Sequence, residues 1–277
     1  MALVPFSRPG SPSDPDDDLD PEAPATGEDG GGAMSFLDHL DELRRRIIWA
    51  VASLAAGFLI CCFFIQQIFD FIMRPMQALL PPGQSLVYTE PGEAFVLWIK
   101  MAAIGGLLLA SPGVMTQVWL FIAPGLYTHE KKMAIPFVVL STFFFILGAA
   151  FSHYVVFPMT WKFFVGFSTD YLTFMPRIEP AFGMYLKLML GMGLVFQMPT
   201  LVLFLARMGV LTARFMIKNF KYAFLLIFIA AALLTPGGDP MSQTAMAAPM
   251  VGLYLISIAL AWLFGKKKAP VDDAAED

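Results

Sequence analysis

Cysteine is nearly absent from this 277-residue chain: there are two, Cys61 and Cys62, adjacent inside an apolar run. Vicinal cysteines seldom bridge, so no disulfide scaffold is expected, and a packed or lipid-facing thiol pair says nothing about redox compartment. Histidine is equally sparse. His39, His129 and His153 do not have metal-ligand spacing, and no Gly-x-x-x-x-Gly-Lys-Ser/Thr loop is there to cradle a nucleotide. Neither a metal centre, a cofactor site nor an ATPase is expected, and nothing in the chain reads as an enzyme. Charge is the scarcest commodity. Only 14% of residues are charged, where soluble domains carry about 25%. An early apolar segment of signal-peptide type is missing as well, because residues 1–33 are rich in Pro, Asp and Gly.

What is present is apolar: 57% of residues are hydrophobic, which makes this an integral membrane protein. The formal net charge of −4 is carried by the ends. Eight acids and one base lie in residues 1–33, and Asp272, Asp273, Glu276 and Asp277 close the chain, whereas residues 34–268 hold 17 bases against 10 acids. The embedded body is therefore basic. Residues 1–33 read as a disordered acidic extension, residues 34–266 as the membrane domain and residues 267–277 as a charged tail.

Apolar stretches recur over about 47–69, 94–122, 133–157, 181–206, 223–235 and 245–264. Crossing a hydrocarbon core of about 30 Å takes about 20 helical residues, so the first four can span with tilt. The fifth is short by about a third, and the turn from Thr235 to Pro240 ties it to the sixth, which predicts a shallow hairpin. Short-loop bases set the orientation. Arg44, Arg45, Arg46, Lys131, Lys132, Arg207, Arg214, Lys218, Lys221, Lys266, Lys267 and Lys268 fall on one side. Arg74, Lys162 and Arg177, with Lys100 and Lys187 just inside helices, fall on the other. An all-α protein of six spans with both termini cytoplasmic is expected.

Two carboxylates sit among the bases of the cytoplasmic side. Glu42 lies in SFLDHLDELRRRI, and Glu130 in FIAPGLYTHEKK. Each could take a guanidinium in a planar two-point pair that lysine cannot reproduce. The plainer reading of Glu42–Arg46 and Asp41–Arg45 is an exposed i, i+4 helix pair. Ser35 and Asp38 resemble a capping box. Gln197, mid-helix before Pro199, reads first as an interhelical hydrogen-bond donor. Asp239 and Gln243, with Thr235 and Ser242, form a polar cluster at the short hairpin.

Ser35–Ile47, Phe121–Lys132 and Leu234–Gln243 resemble, in order, the three signature regions of TatC, the multi-spanning receptor subunit of the twin-arginine protein translocase. Pro75 in the first outer loop and Ser111-Pro112 fit the same pattern. The resemblance covers about residues 34–266 and implies a cupped six-helix protein of the cell (inner) membrane. It also implies binding of twin-arginine signal peptides of folded cargo and export driven by the proton gradient. Glu42 and Glu130 stand where the arginine pair is recognised, with His39, Leu43, Arg44, Phe121, Tyr127 and His129 shaping that surface. Thr235, Gln243, Asp239 and Gln197 stand at the docking positions for TatA- and TatB-like single-span subunits, and self-association in a larger complex is implied. The chain departs from the pattern at Gln197, where many members carry Glu, and in a hairpin turn one residue longer than the common Thr-Pro-Pro-Asp. The competing reading is a secondary transporter or channel for a small solute. That reading calls for ionisable midplane groups and repeated halves, whereas the midplane here offers mainly Gln197.

Overall fold

In the computed structural model, residues 36–80, 84–122, 134–169, 171, 174–235 and 240–265 are described. The acidic extension over 1–33, the Ser35 cap, Tyr127, His129, Glu130, Asp239 and the tail over 267–277 lie outside them. Two compact units are distinguished, Met1–Leu40 and Asp41–Asp277. Of the first, only the opening turn of a helix is described, with His39 and Leu40 exposed.

The described chain is helical: α1 (Phe36–Phe63), α2 (Ile65–Ala78), α3 (Glu93–Ile122), α4 (Ala134–Phe151), α5 (Phe157–Val165), α6 (Ile178–Val195), α7 (Met198–Arg207), α8 (Ala213–Lys218), α9 (Phe220–Leu234) and α10 (Pro240–Phe264). A π-helical turn, Ser152–Val156, joins α4 to α5. Among the described residues, five apolar helical stretches are long enough to cross a membrane: His39–Phe63, Glu93–Ile122, Ile135–Val165, Ile178–Arg207 and Gln243–Phe264. Phe220–Leu234 is the shorter sixth helix, and at 15 residues it spans about 22 Å. The short fifth helix of the sequence reading is thus present. It begins a turn earlier, because Phe220 and Ala223 pack against the main core.

The structure differs from the sequence reading in the first apolar stretch. Residues 47–69 are not one helix: α1 stops at Phe63, and the Phe64 amide donates to the Cys61 carbonyl at 3.1 Å to turn the chain. Amphipathic α2 follows, burying Ile72, Met73 and Met76 on one face and exposing Asp70, Arg74 and Gln77 on the other. Pro75 lies inside α2 and is half-buried.

Proline is handled locally in α3. Pro112 cannot donate to the Leu108 carbonyl, and the Ser111 hydroxyl does so instead at 2.7 Å. Ser111-Pro112 is therefore a self-satisfied kink site, affordable in lipid because no backbone acceptor is left bare.

Most of the core is one cluster running through α2, α3, α6 and α10, with Met76, Met101, Phe157, Phe182, Leu188 and Met192 fully buried. A second, smaller cluster stands apart from it: Trp119, Phe137 and Phe204, from α3, α4 and α7. α10 packs along α7 and α9, and α4 along α3 and α6. α1 is the least enclosed span, with 11% of its apolar window buried, and it approaches α3 through glycine. A Cβ on Gly57 would meet the Gly106 carbonyl oxygen at 2.5 Å, and one on Gly106 would meet the Phe58 amide nitrogen at 2.6 Å.

Candidate signal-peptide and partner site

The basic segment of α1 explains how Glu42 is held. Helical spacing puts Glu42 and Arg46 on one face, and Arg46 Nη2 donates to Glu42 Oε1 at 3.1 Å. The side chains keep 18% (Glu42) and 26% (Arg46) of their exposure. Leu43 is half-buried, Arg44 is exposed, and Asp41 and Arg45 are exposed without pairing to each other among the described residues. Glu42 is thus a carboxylate already engaged by one guanidinium yet still reachable. Exchanging that guanidinium for one from another chain conserves the charge balance, so it avoids burying an unpaired anion. Phe121 ends α3 half-buried. Its successors up to Ala134, Glu130 among them, lie outside the described residues.

At the hairpin, Thr235 follows α9 and is buried. Its hydroxyl donates to the Ala231 carbonyl at 2.7 Å, as its amide does at 2.8 Å. Gln243 Nε2 crosses from α10 to donate to the Phe228 carbonyl at 2.9 Å. Gln243 braces α10 against α9, whereas the Thr235 hydroxyl closes the end of α9 itself. Gln197 caps α7 after the break between α6 and α7, is 8% exposed and donates through Nε2 to the Ser141 carbonyl of α4 at 2.8 Å. That is the interhelical bond read from the sequence. Gln197 is not brought to the Thr235–Gln243 pair by any bond among the described residues.

The sequence profile of the family described as Sec-independent protein translocase protein (TatC) matches residues 38–249. The Sec-independent protein translocase protein TatC of Koribacter versatilis is 45% identical over 237 residues, covering 84% of this chain and 87% of that protein. The TatC of Desulforapulum autotrophicum is 40% identical over 243 residues, covering 87% and 90%. The chain belongs to the TatC family. A crystal structure of the twin arginine translocase receptor TatC superposes with a TM-score of 0.71 at 33% identity, covering 80% of this chain and 97% of that one. Membership makes the protein a membrane-embedded translocase component of the Sec-independent route and associates it with other components of that system. The small-solute transporter reading finds no support among these relatives.

Family-level motifs did not point to a second polar centre, at the other, loop-rich end of the TatC fold. Glu93, the first residue of α3 and 6% exposed, accepts from Arg177 Nη2, from the Thr89 amide at 3.0 Å and from the Thr89 hydroxyl at 3.4 Å. Beside it, Val87 bridges the chain before α6: its amide donates to the Pro176 carbonyl at 3.2 Å and its carbonyl accepts from the Ile178 amide at 2.9 Å. Lys100 Nζ reaches Glu179 at 3.2 Å. The Glu93 hydrogen bond and charge push the Arg177 guanidinium above its ordinary value, so it stays cationic. The two long loops are therefore stitched together. The available signal was the presence of three glutamates (Glu90, Glu93, Glu179) in the outer segments that also hold Lys162 and Arg177.

Deeper in the membrane, His153 of the π-helical turn lies within 3.0 Å of the Tyr185 hydroxyl and stacks on Phe71 at 4.4 Å. Tyr185 also lines an apolar cavity of about 230 Å³ between α2, α3 and α6.

Proposed function

We propose that the basic end of this TatC-family protein is the receptor for twin-arginine signal peptides of folded cargo, and that Glu42 and Glu130 each take one guanidinium. The observation that supports this most is the Glu42–Arg46 pair. It holds a carboxylate in guanidinium-binding geometry amid Arg44 and Arg45, at a partly exposed position where a peptide arginine can replace the internal one. His39, Leu43, Arg44, Phe121, Tyr127 and His129 shape the surface around the two acids. The twelve short-loop bases on this side support cytoplasmic termini in the cell (inner) membrane. Thr235, Asp239 and Gln243 dock TatA- and TatB-type single-span partners at the short hairpin, Gln197 belongs to the same partner-docking set, and transport draws on the proton gradient.

The test is a titration of a fluorescent twin-arginine signal peptide into the detergent-purified protein. Glu130→Gln and, to a smaller extent, Glu42→Gln should weaken binding by about ten- to a hundredfold, the range for losing one charge-assisted hydrogen-bonded pair. A twin-lysine peptide should bind as weakly to wild type as the twin-arginine peptide does to the double variant. Unchanged affinity in the double variant removes the assignment. Because the acidic extension lies outside every matched motif, deleting residues 1–33 should leave export of a twin-arginine reporter at wild-type level; loss of export would give that segment a role.

A further inference from the structure

We propose that Trp119, Ser141 and Gln197 form a positioning staple that fixes the two helix ends from which the Glu130 segment is suspended, and so sets signal-peptide affinity without touching the peptide. The inference rests on the reading of Glu130 given above. The geometry is that of the small second cluster. Trp119 lies in the last turn of α3, two residues before Phe121, and Phe137 lies in the first turn of α4. Their rings stack with centroids 5.0 Å apart and planes 24° from parallel. Phe204 of α7 closes edge-on against both, at 5.0 Å and 5.5 Å. All three residues are buried, with Trp119 3% exposed.

Stacking alone would leave the indole free to slide in its plane; two hydrogen bonds in series prevent that. Trp119 Nε1 donates to the Ser141 hydroxyl oxygen at 2.6 Å, and the Ser141 carbonyl accepts from Gln197 Nε2 at 2.8 Å. α3, α4 and α7 are thereby locked at one level by one residue with two different acceptors. In a lipid environment a buried N–H without a partner has no water to turn to, so each bond has a strong preference for being made. The cluster is separate from the main core, so its looseness or tightness can vary without unpacking the rest of the protein. A receptor whose binding residues are attached to fixed ends loses less ordering entropy on binding than one whose ends wander. This gives Gln197 a role as an amide: its donor –NH2 faces a carbonyl, a bond that an ionised carboxylate at that position could not make.

The experiment compares Trp119→Phe, which keeps the stacked ring and loses the donor, with Ser141→Ala, which loses the hydroxyl acceptor and keeps the carbonyl for Gln197. Twin-arginine peptide affinity of the purified full chain should fall about fivefold in each, the factor one hydrogen bond commands. The double variant should fall by about the same fivefold, because both changes remove one shared bond. A pulsed electron-spin distance between nitroxides at positions 128 and 201 should broaden in both single variants, while thermal midpoints stay near wild type. Wild-type affinity with an unbroadened distance distribution overturns the staple, as does a multiplied loss in the double variant. If instead Glu130→Gln binds like wild type while the distribution still broadens, the peptide site is misassigned and the staple stands.

Discussion

Gly106→Leu is expected to leave little correctly folded protein. A Cβ at this position would lie 2.6 Å from the Phe58 amide nitrogen and 2.7 Å from the Phe58 Cα. Both are backbone atoms of α1, so no side-chain rotation relieves the clash and the helix itself must move. The facing glycine has the same constraint, with the Gly106 carbonyl oxygen 2.5 Å from a Gly57 Cβ. Overpacking a core costs about 1–3 kcal/mol or more where repacking is possible; here it is not. α1 has little else to hold it, since its apolar window is 11% buried and association between helices in lipid depends on close backbone approach more than on apolar burial. A displaced α1 also carries Glu42 away. Gly105→Ala is the control, because its Cβ meets only the tips of side chains, Ile68 Cδ1 at 3.0 Å and Cys61 Sγ at 3.2 Å. Fluorescence-detected size-exclusion chromatography after heating should give a near-wild-type midpoint for Gly105→Ala and loss of the monodisperse peak for Gly106→Leu. A normal peak from Gly106→Leu would mean that α1 and α3 do not meet in this way.

The helical membrane fold was legible because hydropathy over about 20 residues is a strong signal once water is absent. Breaks inside apolar runs were less so. Pro199 announces the interruption between α6 and α7, and Gln197 just before it announces a buried polar contact. Neither proline nor glycine marks Phe64, where FLICCFFIQQIF passes from α1 into α2 with only Gln66 and Gln67, just beyond the turn, interrupting the apolar run. Period-3.6 burial of Ile72, Met73 and Met76 becomes readable only when the helix axis is known to have changed. The π-helical turn at Ser152–Val156, which carries His153 to Tyr185, likewise has no sequence signature. Site residues divide in the same manner. Glu42 stood out because a carboxylate held against three arginines on the basic side is unusual, and its pairing with Arg46 follows from helical spacing. Trp119 did not, because one indole in an apolar helix resembles any other until Ser141, 22 positions away, is placed against it. Of the polar cluster read at that turn, Thr235 closes the end of α9 through the Ala231 carbonyl and Gln243 crosses from α10 to the Phe228 carbonyl of α9.

Arg177→Met is expected to loosen the loop-rich end far more than Glu93→Gln, although the two changes delete the same ion pair. The asymmetry comes from exposure. The Glu93 side chain is 3% exposed, whereas that of Arg177 is 45% exposed. Without the guanidinium, the carboxylate stays enclosed with the two Thr89 donors and the positive end of α3 as its remaining support. An enclosed anion stripped of its counter-charge is the costly half of a broken pair. Removing the negative charge instead leaves the amide of Gln able to accept from Thr89, while Arg177 turns to water or to Glu90, already within 3.9 Å. Combining the changes should recover most of the loss, since no buried charge then remains. The Val87 bridge to Pro176 and Ile178 ties this pair to the docking of both long loops. Limited proteolysis between residues 80 and 92 should therefore accelerate in the order wild type, Glu93→Gln, double variant, Arg177→Met. Equal acceleration in the two single variants would mean that Glu93 is solvated and that the loops are joined by their backbone bridge alone.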